Sequence, residues 1–505
     1  MRDDQEKDEE VLPYSPLNEM RFFFGKGVPL GLSAVLNWGV PPFLGMIFAG
    51  HTVDSAHLQT SLGYARVWFN CTLLMPCFGM NAYFSNVIPG CIGAGREDRI
   101  PRYVHRSMLL SYLSMAPIFV LQFFSGSIMR SLGVPAENCA DIDEYCRWMV
   151  IMAILLVPSS HLESVFINLG FAKSSAFNSF VTGLGVDVAC TYVFILTWQW
   201  GVFGAAMAQI TVQASRLLVW LALLLYFKLS RKCCVAPAGA EPLVTKAEVA
   251  LFFKLAVPQM LSFFAGWLIF EFQLMAMTNI DSISTDALAA GAAWVQVESS
   301  LAAAQDGWIS SANMRVLNLL GKQDAGAPKA LVIFNVLAVV VVCITNVPFL
   351  ISQGAICSFV SNDEAVQEWL YRMLWVLVPH TVTRVVSIIC GMLFVPLGRG
   401  MLGTFLTFLS FYCIATPLAC YVALTNRVTQ QVAPKMVACV GLTTVAQIVS
   451  FIFSCLFFLR LDWREAGAYI HRRANMDKRD AISMVLLNPE VQPASANGEV
   501  LQTSA

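Results

Sequence analysis

From Leu255 to Ile280 the chain reads LAVPQMLSFFAGWLIFEFQLMAMTNI. This stretch is long enough to cross a bilayer, because a helix of roughly 20 apolar residues spans the hydrocarbon core. It contains one formal charge, the carboxylate of Glu271. An ionisable side chain inside a membrane span is energetically unfavourable, so its presence favours a functional role. We therefore predict a membrane protein whose work depends on carboxylates such as Glu271.

The composition of the whole chain agrees with this prediction. Of its 505 residues 57% are hydrophobic and 13% are charged, whereas soluble domains carry about 25% charged residues. The 32 basic and 33 acidic side chains balance, and a nucleic-acid partner would require a basic face. The apolar segments contain neither a metal-ligand cluster nor an H-E-x-x-H motif. We therefore expect no nucleic-acid partner, no metal site, no cofactor and no enzyme activity.

Apolar runs divide the chain into twelve predicted membrane spans. Their approximate limits are 27–49, 63–88, 107–129, 147–169, 177–198, 204–227, 251–278, 287–313, 330–351, 370–396, 402–424 and 435–459. Most Lys and Arg residues between the spans fall in loops on the same side as the N-terminus. Because positively charged loops stay in the cytoplasm, both termini are predicted to be cytoplasmic.

The two halves of the chain resemble each other. FFGKGVPLGLS, from Phe23 to Ser33, matches FFKLAVPQMLS, from Phe252 to Ser262, at six of eleven positions. The predicted fold is an all-α membrane protein with twelve helices in two pseudo-symmetric six-helix bundles. The predicted parts are a cytoplasmic tail (1–20), a first bundle (21–227), a linker (228–250), a second bundle with an amphipathic end (251–473) and a disordered tail (474–505). Transporters built from such repeats bind substrate between the repeats and rock one against the other.

Seven charged residues fall well within the spans: Glu163, Asp187, Arg216, Glu271, Glu298, Asp306 and Arg384. The five acids outnumber the two bases, so pairing among them does not neutralise every carboxylate. Burial favours the protonated form of a carboxyl group, and an arriving cation favours the ionised form. Competition between a proton and a cation for one carboxylate is the simplest antiport mechanism. A structural role stays open for each of these residues, and chiefly for Glu163, Asp187, Arg216 and Arg384.

Helical geometry limits which of these groups share one cavity. At 100° per residue, Gln296 and Glu298 point about 200° apart, so a single cavity receives only one of them. Phe263, Trp267 and Phe270 form an aromatic stripe beside Glu271. Such a stripe is typical of helix packing, and a cation cage is the alternative. Trp267 and Phe270 are the candidates for lining a substrate cavity.

Several motifs, taken in order, resemble multidrug and toxic compound extrusion (MATE) transporters of the eukaryotic type. They are FAGH (48–51), GMNAYFSNVIPGCIGAG (79–95), YVHRS (103–107), GVFGAAMA (201–208), WLIFE (267–271), SANMRVLNLLG (311–321) and LDWREA (461–466). The resemblance implies a twelve-helix exporter of small organic, cationic solutes coupled to protons. It also places Glu271 on a glutamate of the family's seventh helix.

The chain departs from the family pattern at positions where that pattern is polar. Gly266 and Gln296 stand where the family has glutamates, Ser85 stands at an aspartate and Gly90 at a glutamine. Either Glu298 or Asp306 takes over the missing carboxylate of the eighth helix, or Glu271 couples protons alone. Gln296 is kept as a further cation-binding candidate.

From these features we predict a secondary active transporter that exchanges small organic cations for protons, with Na⁺ as the alternative coupling ion. It is expected to be a monomer in the plasma membrane or in a vacuolar or lysosomal membrane. One alternative is a transporter of organic acids or lipid-linked oligosaccharides from the same superfamily. Another is a membrane receptor or scaffold without transport activity.

Overall fold

The computed structural model describes residues 13–39, 48, 52, 55–131, 134, 136–230, 244–360 and 364–475. The regular structure in these residues is helical throughout, with no strand among them. Hydrocarbon offers no water to backbone groups, so a segment that crosses it singly must bond its own N–H and C=O groups as a helix. The all-α prediction is thus confirmed.

Twelve main helices run through the described residues, one for each predicted span. They are α1 (16–39), α2 (55–93), α3 (Glu97–Ser131), α4 (Ala136–Asn168), α5 (Ala172–Thr197), α6 (Gly201–Tyr226), α7 (Lys246–Thr278), α8 (Thr285–Gly321), α9 (Ala327–Ile351), α10 (Glu364–Leu374 and Leu377–Gly391), α11 (Gly400–Leu424) and α12 (Val432–Arg460). A short helix, Gln353–Val360, precedes α10, and α13 (Trp463–Asn475) follows α12.

Eight of the helices in the described part of the chain are long and apolar enough to cross a membrane, and α10 makes a ninth if its two segments, bent by 49°, form one span. Several helices extend past the predicted spans. For example, α1 begins at Pro16, inside the segment 1–20 that was predicted as a tail. Most of the predicted linker and most of the predicted C-terminal tail, residues 231–243 and 476–505, lie outside the described residues.

The buried side chains show where the first bundle (α1–α6) meets the second (α7–α12). At the end of the molecule where α13 lies, called here the α13 end, two hydrophobic cores mix residues of both bundles. One joins Phe22 and Phe23 of α1 to second-bundle side chains, and the other joins Phe252 of α7 to first-bundle side chains. At the far end each bundle has a core whose buried members are its own. The bundles are therefore packed together mainly at the α13 end.

Glycines allow α1 and α8 to touch at the boundary between the two bundles, called here the seam. A Cβ atom on Gly307 of α8 would overlap the backbone of Gly27 and Gly31 on α1. Beside them, the ring of Phe23 stacks on Trp308 with centroids 4.7 Å apart. The contact brings the two helix backbones together, which a side chain at position 307 would prevent.

A buried ion pair joins the same two helices nearer their ends. Arg315 donates to Glu19 from Nε, at 2.9 Å to Oε2, and from Nη2, at 2.7 Å to Oε1. Both side chains are completely buried. The two-point geometry fixes the guanidinium against the carboxylate, as is usual for strong Arg–carboxylate pairs.

The amphipathic helix α13 crosses the seam from one bundle to the other. Arg473 is buried and donates from Nη2 to the carbonyl of Asn86 in α2, at 3.1 Å, and from Nη1 to the carbonyl of Pro396 after α10, at 2.9 Å. His471 Nδ1 lies 2.8 Å from the carbonyl oxygen of Gly321 at the end of α8. One helix thus holds backbone groups of both bundles.

The glycine contact predicts a position-specific effect of one methyl group. We expect Gly307→Ala to lower the free energy of unfolding by about 1–3 kcal/mol, the range for overpacking a close contact. Gly441→Ala on α12 is the matched control, because a Cβ there meets nothing within 4 Å. The control should be neutral or stabilise by up to about 1 kcal/mol through helix propensity. Thermal unfolding in detergent measures both, and equal shifts would contradict the proposed contact.

The ion pair predicts that removing one of its two charges lowers the stability of the protein more than removing both. Arg315→Met leaves Glu19 buried and without its guanidinium, which should cost about 3–5 kcal/mol of stability. The double variant Glu19→Leu/Arg315→Met removes both charges and should recover much of that loss. A double variant no more stable than Arg315→Met, measured by the same thermal unfolding, would show that the pair does not act as a unit.

Candidate functional site

A series of polar side chains links α8 to α10 through the middle of the second bundle. We call it the α8–α10 ladder and define it as Glu298, Gln305 and Asp306 on α8 with His380, Thr381 and Arg384 on α10. Residues seven apart on a helix share a face, as do residues four apart. Glu298 and Gln305 therefore both point at α10, and His380 and Arg384 both point back.

The deepest members of the ladder are Glu298 and His380. Their side chains are each 2% exposed, and His380 Nε2 lies 2.7 Å from Glu298 Oε1. The contact does not meet the geometry of a hydrogen bond, and it is an ion pair only when His380 is protonated. Within the described residues, neither Glu298 Oε2 nor His380 Nδ1 has a hydrogen-bond partner. The pair thus combines two titratable groups and two unused polar atoms in one buried place.

Gln305 and Arg384 form the next step. Gln305 donates from Nε2 to the carbonyl of Thr381, at 3.0 Å, and its Oε1 accepts from Arg384 Nη1, at 3.1 Å. The same Nη1 also donates to the carbonyl of Ala302, at 3.2 Å. Thr381 in turn bonds Asn346 of α9 through their side chains, at 3.1 Å. The guanidinium is therefore fixed by groups that are themselves held in place.

Asp306 ends the ladder at an accessible surface. Arg384 Nη2 donates to Asp306 Oδ1 at 3.0 Å, and the two side chains are 14% and 47% exposed, respectively. A charged carboxylate is strongly disfavoured against hydrocarbon, so the exposed part of Asp306 requires contact with water or with polar groups. On α7, a Cβ on Gly266 would meet no atom of the described residues within 4 Å.

Several predicted site residues cannot be placed in this geometry. Glu271, Trp267 and Phe270 are on α7 and Gln296 is on α8, but their side chains lie outside the described part of the structure. Their proposed roles stay predictions. Glu298 and Asp306, by contrast, are brought onto one ladder, about 12 Å apart along α8 at 1.5 Å per residue.

Two of the three predicted charges of the first bundle, Glu163 and Arg216, lie in one hydrogen-bonded network. Glu163 Oε1 accepts from Ser175, at 2.6 Å. Ser33 of α1 lies 2.9 Å from Ser175, and Asn37, one turn further, accepts from Arg216 Nη2 at 2.8 Å.

Asp187 is separate from these serines and accepts from Thr191, at 3.0 Å. It is almost completely buried. The contacts of these groups, which connect α1, α4, α5 and α6, fit the structural role left open for Glu163, Asp187 and Arg216.

Of the titratable residues of the ladder, His380 is the one that the sequence analysis missed. The census of formal charges left it out because histidine is neutral when formal charges are counted. The available signal was its spacing, one helical turn before Arg384 in the same span.

In the described residues no group of three or more His, Cys, Asp or Glu side chains is arranged to hold a metal ion.

Comparison with known proteins matches the first bundle to a family model. Residues 29–193 match the model described as MatE. The chain is 25% identical to Protein DETOXIFICATION 36 of Arabidopsis thaliana over 217 residues, which are 43% of this chain and 42% of that protein. It is 21% identical to Multidrug and toxin extrusion protein 1 of Homo sapiens over 439 residues, 86% of this chain and 74% of that protein. The chain thus aligns with less than half of the plant relative.

Solved structures share the fold over nearly their full length. The crystal structure of the eukaryotic MATE transporter AtDTX14 matches with a TM-score of 0.78 and 16% identity, covering 91% of this chain and 99% of that one. A transporter of the MOP superfamily from Pyrococcus furiosus, described as having a binding pocket of reverse polarity, matches with a TM-score of 0.76 and 16% identity, covering 89% and 98%. The MatE match over residues 29–193 and the fold shared with AtDTX14 show that the chain is similar to MATE transporters.

Proposed function

We propose that this protein exports small organic cations in exchange for protons. The observation that carries the proposal is the buried Glu298–His380 pair on the same ladder as the half-exposed Asp306. The first offers a place where a proton can be held away from water, and the second offers a carboxylate to a solute. The human relative is named for the extrusion of drugs and toxins, which agrees with this function.

The coupling chemistry follows from the two protonation states of the buried pair. Burial favours the neutral form of a carboxyl group, and a cation nearby favours the ionised form. A cation that enters the cavity therefore promotes loss of a proton, and a proton that returns promotes release of the cation. A membrane potential adds about 2.3 kcal/mol per 100 mV for each charge moved.

The ladder favours a proton over Na⁺ as the coupling ion. A hard cation prefers a shell of oxygen ligands, whereas the close neighbour of the Glu298 carboxylate is an imidazole nitrogen, at 2.7 Å. An imidazole binds protons near neutral pH. The Na⁺ alternative is therefore the less suitable of the two at this pair.

The exposure of the ladder favours a cation over an organic anion as substrate. Arg384 is mostly buried, and its donors are engaged by Ala302, Gln305 and Asp306. Asp306 is the more accessible partner, at 47% against 14%. An arriving solute thus meets a carboxylate first, with the guanidinium behind it.

Alternating access would use the seam between the bundles. If the α13 end is cytoplasmic, as the distribution of Lys and Arg predicts, packing at that end corresponds to a cavity open to the outside. Gly307, which touches α1, directly follows Asp306 in α8. Movement of α1 against α8 would therefore act on Gly307 and shift the neighbouring residue, Asp306.

Transport in proteoliposomes tests the proposal. With an acidic lumen, the protein should accumulate ethidium and should not accumulate the anion fluorescein. Glu298→Gln and Glu271→Gln should each reduce gradient-driven ethidium uptake at least about tenfold, because an amide cannot exchange a proton. The matched control is Glu368→Gln, which changes an exposed carboxylate paired with Arg372 at the start of α10 and should transport at the parental rate.

Three results would each contradict part of the assignment. Uptake of ethidium by Glu298→Gln at the parental rate would remove Glu298 from coupling, and the same result for Glu271→Gln would remove Glu271. Uptake of fluorescein in place of ethidium by the parent protein would replace the cation proposal with the organic-acid alternative. The membrane of residence and the monomeric state stay predictions from the sequence.

A further inference from the structure

Aromatic side chains lie exposed where α5 turns into α6, at the far end of the first bundle. Trp198 and Trp200 are 51% and 42% exposed, and the centroids of their rings are 4.6 Å apart. Phe194 stacks on both indoles, at 5.1 and 5.3 Å. The ring of Phe203, on α6, is 5.4 Å from that of Trp200. We call Phe194, Trp198, Trp200 and Phe203 the first ledge.

The turn that carries the two tryptophans is fixed by its backbone. The N–H of Trp198 donates to the carbonyl of Val193, at 2.8 Å, and the N–H of Trp200 donates to the carbonyl of Phe194, at 3.0 Å. Gln199, between the tryptophans, has a left-handed φ of 51°, which is uncommon for a residue with a side chain. The stacked indoles therefore have little conformational entropy left to lose when they bind a partner.

The neighbouring helix α4 shows what the first ledge faces. Trp148 is exposed, and its ring is 5.3 Å from that of Phe203. One position before Trp148, the exposed side chain is the charged Arg147. The next exposed side chains after Trp148 are the apolar Ile151 and Ile154. The surface of α4 thus changes from polar to apolar at the level of the ledge.

The second bundle repeats this arrangement at the start of α10. Tyr371 and Trp375 are 54% and 52% exposed and lie four positions apart, next to the 49° bend of α10. We call these two residues the second ledge. Between them, Arg372 is exposed and pairs with Glu368, and its guanidinium lies 5.3 Å from the centroid of the Trp369 ring.

Both ledges are supported by the hydrophobic cores of the far end. Ile195 and Val202, which flank the tryptophans of the first ledge in the sequence, belong to the core of the first bundle. Leu370 and Met373, which alternate with the second ledge, belong to the core of the second bundle. Each ledge also lies beside an exposed arginine that is paired with a carboxylate. Two separate parts of the chain therefore present the same combination of groups at the same end of the molecule.

Exposed indole and phenol rings at the ends of membrane-crossing helices suit one environment. Helices α5 and α6 are each long and apolar enough to cross a membrane, so the short turn between them emerges at a membrane surface. Trp and Tyr rings prefer the boundary between hydrocarbon and water, because one part of each ring is apolar and another part forms hydrogen bonds. An arginine beside such rings suits the phosphate of a lipid headgroup.

We propose that the two ledges bind the phospholipid interface of the leaflet at the far end and so anchor both bundles at one depth. Interfacial aromatic and arginine side chains set the tilt of membrane helices. With the far ends of both bundles held at the interface, separation of the bundles is directed along the plane of the membrane. This inference does not depend on which solute the protein transports.

Brominated phospholipids test the depth of the first ledge, because bromine quenches tryptophan fluorescence on contact. The parent and Trp198→Phe/Trp200→Phe are placed in phosphatidylcholine nanodiscs whose acyl chains carry bromine near the carboxyl end or near the methyl end. The difference in fluorescence between the two proteins reports the two indoles. It should fall about twofold or more with bromine near the carboxyl end, and much less with bromine near the methyl end, because interfacial rings lie at the level of the headgroups.

The matched control is Trp220→Phe, which changes an indole of α6 that is 1% exposed. The difference in fluorescence for this variant should be the same with and without bromine. Trp375→Phe is an independent measurement on the second bundle and should give the same depth as the first ledge. Phenylalanine keeps an apolar ring at each site, and thermal unfolding in detergent shows that each variant is folded.

The inference is overturned if neither lipid quenches the indoles of the first ledge, which would place them in water. Stronger quenching by bromine near the methyl end would place them in hydrocarbon and would also overturn it. Absence of quenching in a dimeric protein would assign the first ledge to a second copy of the chain, against the proposal. A different depth for Trp375 would remove the shared anchor. All these results are independent of ethidium transport, so failure of this inference is distinguishable from failure of the proposed function.

Discussion

A charge inside a membrane must be paired or reach water, and this constraint accounts for the arrangement of polar groups in the protein. At the seam, the fully buried Arg315 is matched by Glu19. Deep in the second bundle, Glu298 contacts His380. Asp306, which is half exposed, both pairs with Arg384 and faces outward. The paired charges therefore lie in two places, at the seam between the bundles and in the α8–α10 ladder.

The helices could be predicted because hydrocarbon leaves the backbone few choices. Runs of apolar residues predicted the approximate position of each helix. The ends were less accurate, since a helix that projects beyond the bilayer no longer has to be apolar. At α1, Pro16 begins a helix whose first turns are polar and include Glu19. Burial of Glu19 depends on Arg315, which is almost 300 residues away in the sequence. A local sequence pattern cannot predict such a contact.

The site was predictable by residue type and less so by pairing. Counting charges identified Glu298 and Asp306, which the structure places on the ladder, but the excess of acids over bases overstated how many lacked a basic partner. Asp306 and Arg384 are on different helices, and their contact depends on how α8 and α10 pack. His380 has no formal charge in such a count, although it is the basic group that Glu298 contacts. Tertiary packing decides these partners, and a single sequence does not display it.

The attachment of α13 determines which bundle it follows when the seam moves. Only Leu461 and Asp462 separate it from α12, and two residues reach at most about 7 Å. Helix α13 is therefore tethered to the second bundle. Separation of the bundles at this end would then keep the bond from Arg473 to Pro396 and break the bond to Asn86. In such a movement the Arg473 guanidinium would stay bonded to the second bundle and separate from the first. Each transport cycle would then expose Arg473 and the carbonyl of Asn86 to water.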